Sequence, residues 1–248
     1  MPIWRKGIPP LVAFGAFVAA WQVYVTISGI GPRVLPGPAR VLTQGWAHRE
    51  IIADHAGATL QVTLLGFAIS VLAAWLLAVA IDFAGWLRLA LLPNFVVSQT
   101  LPLIVVAPLL VHWLGFGLPP KLVIVWLTTF FPIVVGLVEG FAAAEPEARA
   151  LLASMGAGRW QQFRYVRLPA AMPQFFTSLR IAITYAVVGA IFAEYAGARA
   201  GLGVYMAQQK NSFRPDLVLA AVAVTAAVSV ALFASTYVVQ RMVAPWTR

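Results

Sequence analysis

Apolar positions in this chain come in long continuous runs rather than in alternation. Runs near the ~20 residues that cross a ~30 Å hydrocarbon core recur at about 8–28, 59–81, 89–113, 121–141, 175–195 and 216–239. Continuous runs suit helices, which satisfy their own backbone in lipid, and not barrel strands, which alternate. The pattern predicts an all-α polytopic membrane protein of about six transmembrane helices, with residues 1–248 forming one transmembrane domain.

The run at 8–28 opens behind Arg5 and Lys6. It is longer than a signal h-region and no small-x-small cleavage site closes it, so it reads as an uncleaved first span. Gly31-Pro32, Pro36-Gly37-Pro38 and five charged residues from Arg33 to Asp54 then take the chain out of lipid, with a short interfacial helix expected at 41–52. In the second run Gly66, Ser70, Ala74 and Ala78 recur every four residues. Such stripes let helices approach closely where lipid supplies no hydrophobic drive. Gly136 and Gly140 form a second such pattern, and Ser178, Ala182, Ala186 and Ala190 a third. A short turn is expected around Asp82, Gly85, Trp86 and Arg88, and an outer loop at 197–215.

The third run is irregular. Pro93, Pro102 and Pro108 each remove a backbone donor, and Asn94, Ser98, Gln99 and Thr100 add side-chain polarity at depth. Broken helices are tolerated where the freed carbonyls face protein or a wet cavity. Asn94, Ser98, Gln99, Thr100, Pro102 and Pro108 are therefore candidates for a translocation path, against the alternative of plain interhelical hydrogen bonding.

Residues 145–173 break the pattern altogether. Glu145 and Glu147 flank Pro146, an arrangement suited to a helix start. Ala148, Leu151, Leu152 and Met155 repeat as one apolar face, and Gly156-Ala157-Gly158 ends that helix. A second short helix is expected to carry Trp160 and Phe163 on one side, with Arg159, Arg164 and Arg167 around it, and to stop at Leu168-Pro169. Two such helices suit a partner's groove, and equally a lipid surface whose anionic headgroups the arginines bind.

Composition narrows the classes. The chain is 61% hydrophobic and only 10% charged, with a mean hydropathy of +0.86, whereas an ordinary soluble domain carries roughly a quarter charged residues. Its net charge of +9 sits between apolar spans, which favours positive-inside topology over nucleic acid. With both termini inside, ten of the 17 basic residues fall on the side of the 145–173 loop and seven on the other, a modest bias that favours a cytoplasmic loop. The absence of cysteine removes disulfides and thiolate chemistry. No GxxxxGK[ST] run and no clustered His, Asp and Glu is present, so neither ATP hydrolysis nor membrane-enzyme catalysis is expected of this chain. Glu139 and Glu194 near span ends leave a proton-coupled secondary transporter as an alternative. Glu194 is expected to pair with a neighbouring helix or with Arg199, Arg180 to anchor the loop, and His112 to lie at the interface.

Gly156, followed after nine residues by Val166 and then by Leu168-Pro169, resembles the second half of the EAA motif of bacterial ABC importer membrane subunits. Leu101-Pro102 through Ala107-Pro108-Leu109 to Trp113-Leu114-Gly115-Phe116-Gly117 is similar to that family's third-helix signature. Ala193-Glu194 with Gly201-Leu202-Gly203 is similar to the segment after its fifth helix. Together these resemble the branch of nitrate, taurine, alkanesulfonate and thiamine-precursor permeases, and 208–218 is closer to the thiamine-precursor (pyrimidine) members. The position where the family places its glutamate is Ala150, and Leu151-Leu152 replaces Ala-Ala; Glu147, a turn earlier, stands ready to replace the glutamate.

The resemblance implies an ATPase-coupling role for Glu147, Ala150, Gly156, Ala157, Trp160, Phe163, Arg164, Leu168 and Pro169. It implies a homodimer in the bacterial cytoplasmic membrane, a cytoplasmic ABC ATPase dimer that holds ATP and Mg, and an extracytoplasmic substrate-binding protein. This chain itself would hold no cofactor.

Overall fold

The computed structural model describes residues 4–100 and 102–247. The expectations placed on Leu101, on Arg248 and on the side chains of Arg5 and Lys6 lie outside the described residues. The chain is helical throughout, with no strand among those residues: α1 (Trp4–Ser28), α2 (Pro38–Ala47), α3 (Arg49–Phe83), α4 (Gly85–Ser98), α5 (Leu103–Leu114), α6 (Leu118–Ala142), α7 (Pro146–Ser154), α8 (Arg159–Gln162), α9 (Leu168–Tyr195), α10 (Leu202–Asn211) and α11 (Pro215–Val243).

Four helical stretches are long and apolar enough to cross a membrane: Arg49–Phe83, Leu118–Ala142, Arg159–Tyr195 and Pro215–Val243. The pair α4 and α5 adds a fifth if the two count as one broken span, and Val12–Ser28 in α1 is a shorter apolar helix. The expected six spans are thus approximate in their ends and in one interior. The irregularity expected in 89–113 takes the form of two helices, α4 and α5, bent by 101° at the break between them. Three prolines stand in that run, yet Pro93 and Pro108 lie inside helices and Pro102 alone caps the break. The expected interfacial helix sits a little early, at α2, and 49–55 already belong to the long α3.

The core forms around α6, which packs against α3 on one side and α9 on the other. Ile124, Val125, Ile133, Val134 and Leu137 are completely buried there. The predicted small-residue stripes lie in these contacts. Gly66, Ser70, Ala74 and Ala78 are all buried, as are Ser178, Ala182, Ala186 and Ala190. A Cβ on Gly140 would stand 2.8 Å from the Ala171 Cα, and one on Gly136 would collide with Ser178. The α6–α9 backbones therefore meet where side chains are smallest, as close packing in lipid requires. Thr129 adds a polar clasp, donating to Ser70 Oγ at 2.6 Å across the α3–α6 seam.

Two sequence expectations fail at helix junctions. Leu168-Pro169 does not stop the loop's second helix: α8 runs through a π-helical turn, Phe163–Arg167, directly into α9. The wider turn lets the register shift where Pro169 lacks its N–H and where its ring would otherwise press on the carbonyl four residues back. Residues 197–215 are more than an outer loop, because they contain α10, whose Leu202, Tyr205 and Met206 are buried.

Candidate functional site

The 145–173 segment forms a defined handle at one end of the molecule. α7 begins at Pro146, and its C-terminus is closed by the Gly156 N–H donating to Ala153 O at 3.0 Å and the Ala157 N–H to Leu152 O at 2.9 Å. That closure needs a left-handed residue, and Gly156 supplies it with φ +82°. The next helix is capped in turn: Gln161 Oε1 accepts from the Gly158 N–H at 2.8 Å, and Gln162 Nε2 donates to Ala157 O at 3.0 Å. Both sides of the turn are thus hydrogen-bonded locally.

The handle is fastened to the membrane core in three ways. Phe163 is buried, with its ring 5.6 Å from Phe83, 5.2 Å from Phe141 and 5.5 Å from Trp160. Arg167 Nη1 donates to both oxygens of Asp82 at 2.6 and 2.7 Å. Asp82 and Arg167 side chains are only 11% and 20% exposed, so solvent screens this pair far less than a surface bridge. Arg159 completes the attachment, lying over the Phe83 ring and donating to Phe83 O at 3.4 Å.

On this base α7 has no buried residue at all. Leu151 is 63% exposed and Met155 74%, with Trp160 59% exposed beside them. Of the apolar face expected from the i, i+3, i+4, i+7 spacing, Leu151 and Met155 stand exposed among the described residues, while Ala148 and Leu152 are half-buried. Ala150, Glu147 and Arg164 are exposed around it, and Ala157 is half-buried in the turn. Leu168 and Pro169 are half-buried, and Trp246 donates to Pro169 O at 3.5 Å. Phe163, grouped with Trp160 by sequence, points into the core and positions the surface from behind. Arg180 does not anchor this loop. It donates to Gln240 Oε1 at 2.6 Å and lies 4.3 Å from the Tyr237 ring centre, binding α9 to α11.

The path candidates do not converge. Asn94, Ser98 and Thr100 bond to carbonyls of their own segment, at Ala90, Phe95 and Val97. Gln99 alone reaches across, donating to Leu127 O of α6 at 3.3 Å. Ser98 and Gln99 line a cavity of about 440 Å³ with Leu103, Leu127, Thr128 and Phe192. Asn94, Thr100, Pro102 and Pro108 do not line it. The lining has neutral polar groups and no charge.

The far end of α9 is organised by contacts between residues distant in the chain. Of the two partners expected for Glu194, a neighbouring helix or Arg199, the structure shows the helix: Glu194, 1% exposed, accepts from the Gly203 N–H of α10 at 2.8 Å. Thr59 Oγ1 accepts from the Leu202 N–H at 2.7 Å, and His55 Nδ1 from the Gly201 N–H at 3.0 Å. Three successive donors at the start of α10, which a helix cannot satisfy itself, are thus taken by side chains of α3 and α9. The Ala193-Glu194 and Gly201-Leu202-Gly203 signals stood in the sequence, but their joining did not.

Comparison with known proteins places these features. Residues 66–248 match the family model described as binding-protein-dependent transport system inner membrane component. The chain is 32% identical to the riboflavin transport system permease protein RibX of Chloroflexus aurantiacus, covering 97% of this chain and 90% of that one. It is 29% identical to the formylaminopyrimidine transport permease protein ThiX of Halalkalibacterium halodurans, covering 98% and 97%. The fold is similar to a crystal structure of an amino acid ABC transporter with histidines, with a TM-score of 0.65 and 17% identity over 79% of this chain and 96% of that one.

Proposed function

The chain belongs to the family of binding-protein-dependent transport system inner membrane components and is the permease subunit of an ABC importer for small solutes, and on that premise we propose that its α7 surface is the point at which a separate ATPase drives it. The observation that carries this reading is the uncovered Leu151–Met155 face on a rigid base. Truly mobile loops lack such a base; this one is held by Asp82–Arg167 and by the Phe83–Phe141–Phe163 cluster. A partner that grips α7 moves α8 and α9 with it, because Arg159–Tyr195 is one continuous 37-residue helical stretch of roughly 55 Å.

In this mechanism two copies of the chain face one another in the bacterial inner membrane, with both termini and the loop cytoplasmic. ATP binding closes the ATPase dimer and draws the two α7 surfaces together. The helices then rock between inward- and outward-facing states, which nucleotide shifts only through its differential affinity for the two. An extracytoplasmic binding protein delivers the solute to the opposite end. Hydrolysis stays on the ATPase, so the chain itself is no enzyme. Family membership favours this mechanism over a proton-coupled carrier, and one carboxylate oxygen of Glu194 is taken by the Gly203 N–H of α10.

For the solute, a neutral nitrogen heterocycle of the thiamine-precursor pyrimidine type is favoured over sulfonate, taurine or nitrate. Two of the relatives are named for riboflavin and formylaminopyrimidine, both flat heterocycles. The cavity at the α4–α5 break offers Ser98, Gln99 and Thr128 and no cation for an anion.

Two experiments test this function. Leu151→Asp with Met155→Asp should leave the permease folded, because both side chains are mostly exposed, and should reduce co-purification of the ATPase at least tenfold, as loss of a central apolar anchor does. Undiminished co-purification ends the docking assignment. A panel of heterocycles and sulfonates, read by thermal shift on the binding protein that partners this permease, tests the solute class; stabilisation by sulfonates alone reverses it.

A further inference from the structure

Behind the handle, on its membrane side, lies a cavity of about 280 Å³ whose lining includes Asp82, Gly85, Arg88, Phe141, Arg149 and Arg167. Three arginines and one carboxylate meet there, and that carboxylate is already bound by Arg167. Arg88 and Arg149 enter no ion pair among the described residues. The Nε atoms of Arg149 and Arg167 are buried without a hydrogen-bond partner. A buried donor on a charged group left unpaired is costly, and two of them flanking one cavity describe a site that lacks its acceptor. Gly85 and Trp86 open α4 at the cavity, where a helix start favours negative charge.

We propose that this cavity binds a phosphate group, and that its ligand is the headgroup of an anionic phospholipid. Guanidinium groups match phosphate oxygens in planar, paired geometry, and phosphate carries enough acceptors to meet several arginines at once. The level is that of a membrane surface. Asp82 lies in the last turn of an apolar 35-residue helix, and Trp86 and Leu89, next in the chain to the lining residues Gly85 and Arg88, are 69% and 81% exposed. An exposed tryptophan next to arginines at a span end marks the headgroup layer. The site joins α3 and α4 to the handle, because Arg149 is carried by α7 and Arg167 by the π-helical turn. Headgroup occupancy therefore stiffens the link between the membrane core and the surface gripped by the ATPase. The binding claim itself is independent of that docking, since its readout is lipid.

The test is native mass spectrometry of the purified full chain in detergent, titrated with phosphatidylglycerol, phosphatidylcholine or inorganic phosphate. The expected result is at least tenfold tighter binding of phosphatidylglycerol than of phosphatidylcholine. Arg149→Gln and, separately, Arg88→Gln should remove most of that preference, while Arg241→Gln should retain it. Both replaced side chains lack ion pairs, and size-exclusion profiles check that the variants remain folded. Competition by inorganic phosphate supports phosphate recognition. Binding of phosphate, lost in Arg149→Gln, without preference between the lipids keeps the anion site but assigns it to the free ion and overturns the lipid source. Equal binding of both lipids with no response to phosphate overturns the site. Loss of the bound lipid on adding the ATPase subunit also overturns the lipid assignment, and gives the arginines to that subunit's carboxylates.

Discussion

The two ends of α9 carry the same device with opposite outcomes. At each end a glycine-containing turn leads to or from a short helix, α7 near one end and α10 at the other. α10 is absorbed into the fold: Leu202 is 1% exposed, Tyr205 2% and Met206 6%. Its first N–H groups are held by His55, Thr59 and Glu194. α7 has no fully buried residue, although its flanking turn is as fully hydrogen-bonded. Local order and tertiary burial are therefore separable. A helix fixed at its ends with an exposed apolar face suits the docking proposed for α7, whereas one whose opening turns are buried, as in α10 from Leu202 to Met206, is part of the scaffold.

Three substitutions break or sharpen this contrast. The largest effect is expected from Gly203→Leu in α10, because a Cβ there would stand 2.6 Å from Ile191 O, a backbone atom that cannot move away cheaply. Overpacking of this kind costs about 3 kcal/mol, and the folded yield and thermal midpoint of the purified permease should fall together. A normal midpoint would mean that α10 is not scaffold. Next comes Asp82→Asn at the handle's base. Leaving Arg167 half-buried without its counter-charge destabilises the handle, but chiefly locally, so the global loss is smaller than for Gly203→Leu. Hydrogen exchange should rise in 146–167 while 202–211 stays protected. Uniform exchange along the chain would erase the distinction between the ends. The smallest effect is expected for Glu194→Gln. The amide oxygen still accepts from Gly203, so stability should change by less than about 1 kcal/mol, and transport should persist. Loss of transport with folding intact would show that the carboxylate's charge does more than hold α10.

The handle was legible in advance because its signals are local. The Ala148–Leu151–Leu152–Met155 spacing, the Gly156 turn and the exposed aromatics lie within a few turns of one another. Its fastening was not legible, since Asp82 and Arg167 are 85 residues apart and nothing in either neighbourhood names the other. The spacing grouped Phe163 with Trp160, but only the packed rings of Phe83 and Phe141 decide that Phe163 turns inward. Proline misled in two directions. Of the three in 89–113, only Pro102 coincides with the break, and Pro169, expected to end a helix, sits at the resumption of one. A proline removes one donor and adds one clash; whether the helix breaks, bends or widens depends on what the neighbouring helices can accommodate.

By itself the sequence determined the solvent each segment must have, the helical class and the faces on which helices approach. Runs of apolar residues leave no other way to satisfy the backbone in lipid, and the stripe from Gly66 to Ala78 permits contact only where side chains are small. Tertiary structure alone decided which polar groups meet: Arg167 with Asp82, Glu194 with the α10 backbone, and three arginines around one cavity. Hydrophobic periodicity is set along the chain, residue by residue. A buried charge acquires its partner only when distant helices close around it.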